Sequence, residues 1–201
     1  MFAYINQVIQ LGIESIELDV QTFGQDDLVL CSHSKEAQVS SEEDFIRLND
    51  VFAYLTKAKA DIRIILNLKE QFLENRVKTL VDKWHLKKQV FYSGILKPIH
   101  FTPWDKPYII YNIENCLPNV YQLDTLKRTH FDVIYYFCNK YKVDTIRLHI
   151  NAFTEEMITW AEKLHLKLSI YGISSFEKAK ELIRDGVEYV SMSALCVKEE
   201  I

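Results

Sequence analysis

The chain has 201 residues, of which 48% are hydrophobic and 26% are charged, and its formal net charge is −4 at pH 7. This length and composition are typical of one globular domain, residues 1–201, that buries a sizeable core. The negative charge argues against a protein that binds nucleic acid by neutralising its phosphates. No apolar run approaches the ~20 residues of a membrane-spanning helix, and the N-terminus lacks the basic start and cleavage site of a signal peptide, so we expect a cytoplasmic protein.

The cysteines are spread along the chain and show no C-x-x-C spacing that would indicate a zinc site. A disulfide framework is typical of small secreted domains, which this composition does not match. Free cysteine is among the most buried residue types. We therefore predict buried or half-buried thiols at Cys31, Cys116, Cys138 and Cys196.

Helix-like and strand-like stretches alternate along the chain. Helix starts are indicated by Ser41, Thr154 and Ser174 or Ser175, because their side chains can accept a hydrogen bond from the first turn. In chain order, the pattern predicts a helix at 2–12, a strand at 15–21, an extended run at 26–33, a helix at 41–60, a strand at 62–70, a helix at 72–86, strands at 90–95 and 108–114, a helix within 119–141, a strand at 145–150, a helix at 154–166, a strand at 167–173, a helix at 174–186 and a strand at 189–194.

Strands that alternate with helices of this length predict βαβ units and a mainly parallel sheet. Most predicted strands have one aliphatic face and a second face that turns polar toward the carboxyl end, as with Asn67 and Lys69 in one strand and Arg147 and His149 in another. Parallel strands covered by helices on both faces would be almost wholly apolar. The pattern therefore favours a TIM-type (β/α)8 barrel, in which polar residues crowd the interior at the catalytic end.

The predicted barrel is short of one strand. Seven of the predicted strands can form the barrel, and the run at 26–33 is left as a hairpin partner or an extension. The chain of 201 residues is also shorter than the ~250 of a typical barrel. An open edge would present unpaired backbone groups. We expect the N-terminal segment, a second copy of the chain in a homo-oligomer, or another partner to cover it.

The stretch SIELDVQ, residues 15–21, alternates apolar and polar residues, which predicts a strand with Glu17 and Asp19 on one face. Two adjacent carboxylates are costly to bury unless a cation or protonation compensates them. Oxygen ligands of this kind suit Mg²⁺ or Ca²⁺. The alternative is a solvated strand face, because exposed charged side chains are common.

Three stretches resemble motifs of the glycerophosphodiester phosphodiesterases, in the order that the family has them. Residues 3–34, which contain IELDV and end in CSHS, resemble the family's opening helix, its strand motif E-x-D-V, its hairpin and V-x-x-H-D. ILNLK, residues 65–69, stands where the family has I-E-I-K. Residues 164–193, ending in GVEYVSMS, resemble its closing strand, helix and G-V-D-G-I-I-T-D.

The resemblance implies a metal-dependent phosphoric diester hydrolase of lipid metabolism, with a TIM barrel fold. Its substrates would be glycerophosphodiesters, which it would hydrolyse to glycerol 3-phosphate and an alcohol with the help of Mg²⁺ or Ca²⁺. The site residues that the resemblance implies are Glu17, Asp19 and Asn67 for the metal, His33 as a catalytic acid or base, and Lys69 and Tyr171 for the substrate.

The sequence also departs from the family's pattern. The first strand of the family carries His-Arg-Gly and has no counterpart, so one catalytic histidine and one phosphate-binding arginine are missing. Asn67 replaces the third metal-binding acid and weakens the expected cation site, while Ser34 and Ser193 replace aspartates. We therefore expect weak or lost activity, because the groups of a catalytic unit act together.

Strand parity places Glu114, Arg147 and His149 on inward-facing positions, where they would replace a carboxylate, a phosphate clamp and a proton shuttle. Two other interpretations stay open. One is a non-catalytic binding or regulatory barrel that keeps a phosphate-sized cavity; for Lys69 itself, the alternative to a functional role is a structural ion pair with Glu17 or Asp19. The other is an unrelated barrel enzyme that uses Lys69 as a Schiff-base amine.

Overall fold

The chain divides into two compact units, Met1–Phe101 and Thr102–Ile201. The computed structural model describes residues 2–23, 27–30, 46–120, 123 and 126–192. Several positions singled out from the sequence lie outside the described residues, namely Cys31, His33, Ser34, Ser41, Ser193 and Cys196.

The first unit contains a four-stranded sheet. Its elements are α1 (Phe2–Gln10), β1 (Ser15–Phe23), β2 (Asp27–Leu30), α2 (Leu48–Ala58), β3 (Arg63–Leu68), α3 (Glu74–Lys83) and β4 (Val90–Gly94). The strand order is β2-β1-β3-β4. β1 and β2 pair antiparallel, with Val20 opposite Leu30, whereas β1, β3 and β4 run parallel. The hairpin and the parallel strands predicted for this part of the sequence are confirmed.

Aliphatic side chains on one face of the strands form the core of the first unit. Ile64, Leu66 and Leu68 of β3 are fully buried, and so are Val51 and Phe52 of α2. Alternation places every second side chain of a strand on the same face, and helical spacing gathers the apolar side chains of α2 on one side. Burying one such side chain contributes about 1.5–3 kcal/mol, so the aliphatic residues decide which face of β3 is left for polar groups.

The second unit also contains a four-stranded sheet. Its elements are β5 (Ile110–Asn112), α4 (Arg128–Tyr141), β6 (Thr145–His149), α5 (Glu156–Lys163), β7 (Lys167–Ile173), α6 (Phe176–Arg184) and β8 (Tyr189–Met192). The strand order is β5-β6-β7-β8, and neighbouring strands are parallel. Spatial order therefore follows chain order, as expected for consecutive strands joined by helices.

β5 is shorter than the strand predicted at 108–114. It pairs with β6 only from Ile110 to Asn112, and a 3-10 turn follows at Ile113–Asn115. The turn takes Glu114 out of the strand alternation, so strand parity does not set the direction of its side chain. The turn itself decides where Glu114 lies.

α4 begins at Arg128, later than the predicted helix within 119–141. Asn119 has a left-handed backbone with φ of +65°, which a continuous right-handed helix excludes. The predicted cap of α5 is wrong as well. Glu155 takes the N-cap position, and the Thr154 hydroxyl finds no hydrogen-bond partner among the described residues.

The two described cysteines agree with the sequence prediction. Cys138 is buried, Cys116 is half-buried, and both are free thiols. Burial raises the pKa of each thiol to about 12. Almost no thiolate is therefore present at neutral pH, and neither group is a reactive nucleophile.

The structure decides between the two serines that the sequence offered as the cap of α6. The Ser175 hydroxyl accepts a hydrogen bond of 3.2 Å from the backbone N–H of Lys178. We expect Ser175→Ala to lower the free energy of unfolding by about 1 kcal/mol, measured by urea denaturation, because this N–H loses its partner. Ser174→Ala is the matched control and should change it by less than ~0.5 kcal/mol. Equal losses in the two variants would contradict the assignment.

Candidate functional site

The two acids of β1 lie on one face of the strand. Glu17 is half-buried, whereas Asp19 is buried with 8% of its surface exposed. Asp19 therefore does not lie on a solvated strand face. A buried carboxylate needs hydrogen bonds and a compensating charge.

The end of β3 supplies both a hydrogen bond and a positive charge to Asp19. The parallel register places Asn67 beside Asp19, and the Asn67 side-chain amide donates a hydrogen bond of 2.8 Å to Asp19 Oδ1. Lys69, which follows β3, brings its Nζ to 2.9 Å from Asp19 Oδ2. The side chain of Asp19 is 6% exposed and that of Lys69 is 32% exposed. The ammonium group thus compensates a shielded carboxylate while its own side chain keeps access to solvent.

These contacts test the cation site that the resemblance implies at Glu17, Asp19 and Asn67. Carboxylate and amide oxygens are suitable ligands in kind for Mg²⁺ or Ca²⁺. Lys69, however, already supplies positive charge at Asp19, and Asn67 turns its amide nitrogen toward the carboxylate. Within the described ranges, no three His, Cys, Asp or Glu side chains converge on a possible metal position. The residues in this arrangement do not fit a tightly bound divalent cation.

Glu70 is a residue of this region that the sequence did not single out. Its carboxylate accepts a hydrogen bond of 3.2 Å from the backbone N–H of Thr22 and one of 2.7 Å from the Thr22 hydroxyl. These bonds join the end of β1 to the chain that leaves β3. They hold in place the segment that carries Lys69. A carboxylate directly after Lys69 was the only sequence signal for this contact.

A second group of polar side chains lies at the carboxyl ends of β5, β6 and β7. The register places Arg147 between Asn112 and Ser169, and places His149 beside Tyr171. The 3-10 turn after β5 adds Glu114. We call this group the Tyr171 cluster, which comprises Glu114, Arg147, His149 and Tyr171.

Tyr171 is the centre of its cluster. Its hydroxyl donates a short hydrogen bond of 2.6 Å to Glu114 Oε1, the length of a charge-assisted bond. The Arg147 guanidinium lies 4.9 Å from the centroid of the Tyr171 ring, and the His149 ring packs edge-on at 5.1 Å. Arg147 is only 2% exposed, so the aromatic ring covers a buried cation. The structure thus brings together the three residues that strand parity placed inward.

Two local contacts orient His149. Its Nδ1 accepts a hydrogen bond of 3.1 Å from the backbone N–H of Asn151, so the neutral ring carries its proton on Nε2. Gly172 has a φ of +80°, and a Cβ atom there would lie 2.3 Å from His149 Nε2. Glycine therefore provides both the backbone conformation and the space that the imidazole occupies.

The described site residues belong to both units of the chain. Asn67 and Lys69 contact Asp19 in the first unit, and Tyr171 belongs to a cluster in the second unit. His33 lies outside the described residues. Asp19, Asn67 and Lys69 form one contact group in the first unit.

No protein-family model matches the sequence, and no curated protein matches it either. Solved structures do match. A Galdieria sulphuraria protein assigned to the glycerophosphodiester phosphodiesterases superposes with a TM-score of 0.74 at 15% identity, covering 94% of this chain and 85% of that one. A glycerophosphodiester phosphodiesterase from Parabacteroides distasonis gives 0.66 at 14% identity, covering 95% and 84%. A phosphodiesterase from Oleispira antarctica, in complex with the product sn-glycerol-3-phosphate, gives 0.61 at 13% identity, covering 94% and 85%.

The fold is that of the glycerophosphodiester phosphodiesterases. It is the TIM-type barrel class that the alternating strands and helices predicted. At these identities the likeness establishes the fold and not the activity, because one fold supports many chemistries. None of the helices in the described part of the chain combines the length and apolarity that a membrane crossing needs.

The ion pair at Asp19 can be tested by a double-mutant cycle in urea denaturation. Lys69→Met should lower the free energy of unfolding by about 2 kcal/mol, because it removes the ammonium group that lies against a buried carboxylate. Asp19→Asn should recover part of that loss in the double variant, with a coupling of about 1 kcal/mol or more. Lys87→Met is the control, since Lys87 pairs with Asp82 on the exposed surface and should matter by less than ~0.5 kcal/mol. Purely additive effects would contradict the pair.

The dependence of His149 on Gly172 can be tested by NMR of the imidazole ring. Gly172→Ala should shift the His149 ring resonances, because the new methyl group displaces Nε2 and strains the bond to Asn151. Gly186→Ala is the matched control, since its φ of +106° is also positive but the nearest atom to its Cβ lies at 3.5 Å, in Glu162. Unchanged His149 resonances in Gly172→Ala would refute the packing described.

Proposed function

We propose that this protein is a divergent phosphoric diester hydrolase of the glycerophosphodiester phosphodiesterase type, with turnover that is weak or lost. Its substrate would be a glycerophosphodiester, and the whole chain, residues 1–201, would act as one domain. The observation that carries the proposal is the contact group of Asp19, Asn67 and Lys69, which lies at the carboxyl end of β3 where its parallel pairing with β1 ends, in a fold shared with phosphodiesterases. In TIM barrels the carboxyl ends of the strands carry the active site.

The structure of the Oleispira antarctica phosphodiesterase holds the product sn-glycerol-3-phosphate, and this supports a glycerol phosphate as the ligand here. Lys69 has an ammonium group with three donors, of which the ion pair with Asp19 uses one direction. We infer that a phosphoryl oxygen binds at the remaining donors. Lys69 would thereby hold the phosphate beside the strand ends.

In the hydrolysis, a water oxygen bonds to phosphorus while the bond from phosphorus to the alcohol oxygen breaks. The alcohol leaves with a proton, and glycerol 3-phosphate remains. We infer that His33 moves one of these protons, as the resemblance implies. Tyr171 would contact the substrate through its ring, against which the Arg147 guanidinium packs.

The divalent cation of this chemistry, Mg²⁺ or Ca²⁺, would polarise a phosphoryl oxygen when bound. Glu17, Asp19 and Asn67 would hold it, in competition with Lys69 for Asp19. We infer weak cation binding, because displacing the ammonium leaves two carboxylates and one neutral amide as ligands.

The second candidate is a non-catalytic barrel that binds a phosphate ligand. The ion pair favours it, because Lys69 compensates Asp19 without a metal. The same contact argues against the Schiff-base alternative, because the Lys69 amine is engaged with the Asp19 carboxylate.

Release of glycerol 3-phosphate from glycerophosphocholine tests the two candidates, with Mg²⁺, with Ca²⁺ and with a chelator. We expect slow release that Glu17→Gln abolishes, because the carboxylate belongs to the reacting site. Ser174→Ala is the control and should leave the release unchanged. Binding of sn-glycerol 3-phosphate without any release would establish the non-catalytic candidate.

Two outcomes would overturn the leading proposal in different ways. Fast, metal-dependent release comparable to that of an efficient hydrolase would refute weak or lost turnover. Failure of both glycerophosphocholine and sn-glycerol 3-phosphate to bind in calorimetry would refute the proposal as a whole.

A further inference from the structure

The outer face of α4 exposes large apolar side chains to water. Phe131, Ile134 and Cys138 point toward the core of the second unit and are buried. On the opposite side of the helix, Tyr136 is 59% exposed and Val133 is 36% exposed. Tyrosine is enriched where one protein surface packs against another, because its ring buries a large area. This face of α4 therefore has the composition of an interface.

Three side chains form one ridge along this face. Asp132, Tyr136 and Lys140 follow each other at intervals of four residues, so they lie nearly in line over ~12 Å of the helix. All three are exposed. Among the residues that the structure describes, neither Asp132 nor Lys140 forms an ion pair. The ridge thus has an acid at one end, a base at the other and an aromatic ring in the middle.

Aromatic rings keep the basic group close to the ridge. The Lys140 Nζ lies 5.7 Å from the centroid of the Tyr136 ring, 6.0 Å from that of Phe137 and 5.4 Å from that of Tyr141. These distances are in the range of cation–π attraction. The ammonium group is therefore held beside the aromatic centre of the ridge, where a partner that covers Tyr136 would meet it.

A ridge with this arrangement is complementary to itself. If a second copy packs antiparallel, Tyr136 meets Tyr136, and each Asp132 meets the Lys140 of the other copy. A parallel copy would instead place like charges together, which is unfavourable. Ridges of residues four apart are the ones that pack in the commonest class of helix pairs. A two-fold axis through the contact makes both halves identical, so one surface serves both copies.

We propose that the outer face of α4 is a homodimer interface, in which two copies pack antiparallel around Tyr136 and each Asp132 pairs with the Lys140 of the other copy. This inference goes beyond the proposed function and does not depend on it, because it uses none of the residues proposed to bind substrate or metal. One helix crossing buries less than the ~800 Å² per partner of a standard interface. We therefore expect a weak dimer, with a dissociation constant on the order of 0.1 mM.

Sedimentation equilibrium of the full chain tests the interface, at concentrations from about tenfold below to about tenfold above that constant. The mass of the wild type should rise from that of a monomer toward that of a dimer. Asp132→Lys and Lys140→Glu should each weaken dimerisation at least about tenfold, because like charges then face each other at two symmetric positions.

Mixing the two charge variants tests the antiparallel pairing. In an equimolar mixture one copy carries two lysines on its ridge and the other carries two acids, so dimerisation should return to within about threefold of the wild type. Glu188→Lys and Lys163→Glu are the controls, since they make the same charge changes at exposed positions of the second unit outside α4. Each should dimerise like the wild type.

The aromatic centre has a matched control on the same helix. Tyr136→Ser should weaken dimerisation about tenfold or more, because it removes the ring at the two-fold axis. Tyr135 is also exposed, at 40%, but it lies a quarter of a turn away from the ridge. Tyr135→Ser should therefore change dimerisation less than about threefold. Circular dichroism of every variant should match that of the wild type.

Three results would overturn the inference. The first is a wild type that stays monomeric over the whole range of concentrations. The second is dimerisation that Asp132→Lys, Lys140→Glu and Tyr136→Ser leave unchanged. The third is a mixture of the two charge variants that dimerises no better than either alone, which would refute the antiparallel pairing. None of these results bears on the proposed function, which turnover and ligand binding test separately.

Discussion

Asp19 constrains the polar residues around it in the first unit, because its carboxylate is shielded from water. A carboxylate in that position is stable only where donors and a positive charge reach it. Asn67 and Lys69 reach it because the parallel register of β1 and β3 brings the end of β3 alongside. The bonds from Thr22 to Glu70 then fix the segment that carries Lys69. Together these contacts compensate one buried charge in β1.

Buried charged groups have different partners in the two units. In the first unit an ammonium group compensates a carboxylate directly. In the second unit a buried guanidinium lies against an aromatic ring whose hydroxyl bonds to a half-buried carboxylate. The ion pair brings positive charge to Asp19, whereas in the aromatic arrangement Glu114 Oε2 has no donor among the described residues.

The likeness to phosphodiesterases of 15% identity or less shows how far a fold persists while its side chains change. The strand alternation and the aliphatic core define the fold, and many side-chain combinations satisfy them. The polar residues at the strand ends are under no such constraint from packing. They can therefore differ from those of a metal-dependent hydrolase without loss of the fold.

The sequence by itself determined the features that repeat with a local period. Alternation every second residue predicted β1 and the face shared by Glu17 and Asp19, and helical spacing of apolar residues predicted α1. Only the tertiary structure decided that Lys69 pairs with Asp19 and that Tyr171 bonds to Glu114. Strand pairing brings residues together across 50 or more positions of the chain, and the turn after β5 directs Glu114. Neither register nor turn geometry is encoded in a local period, so no reading of neighbouring residues could supply these contacts.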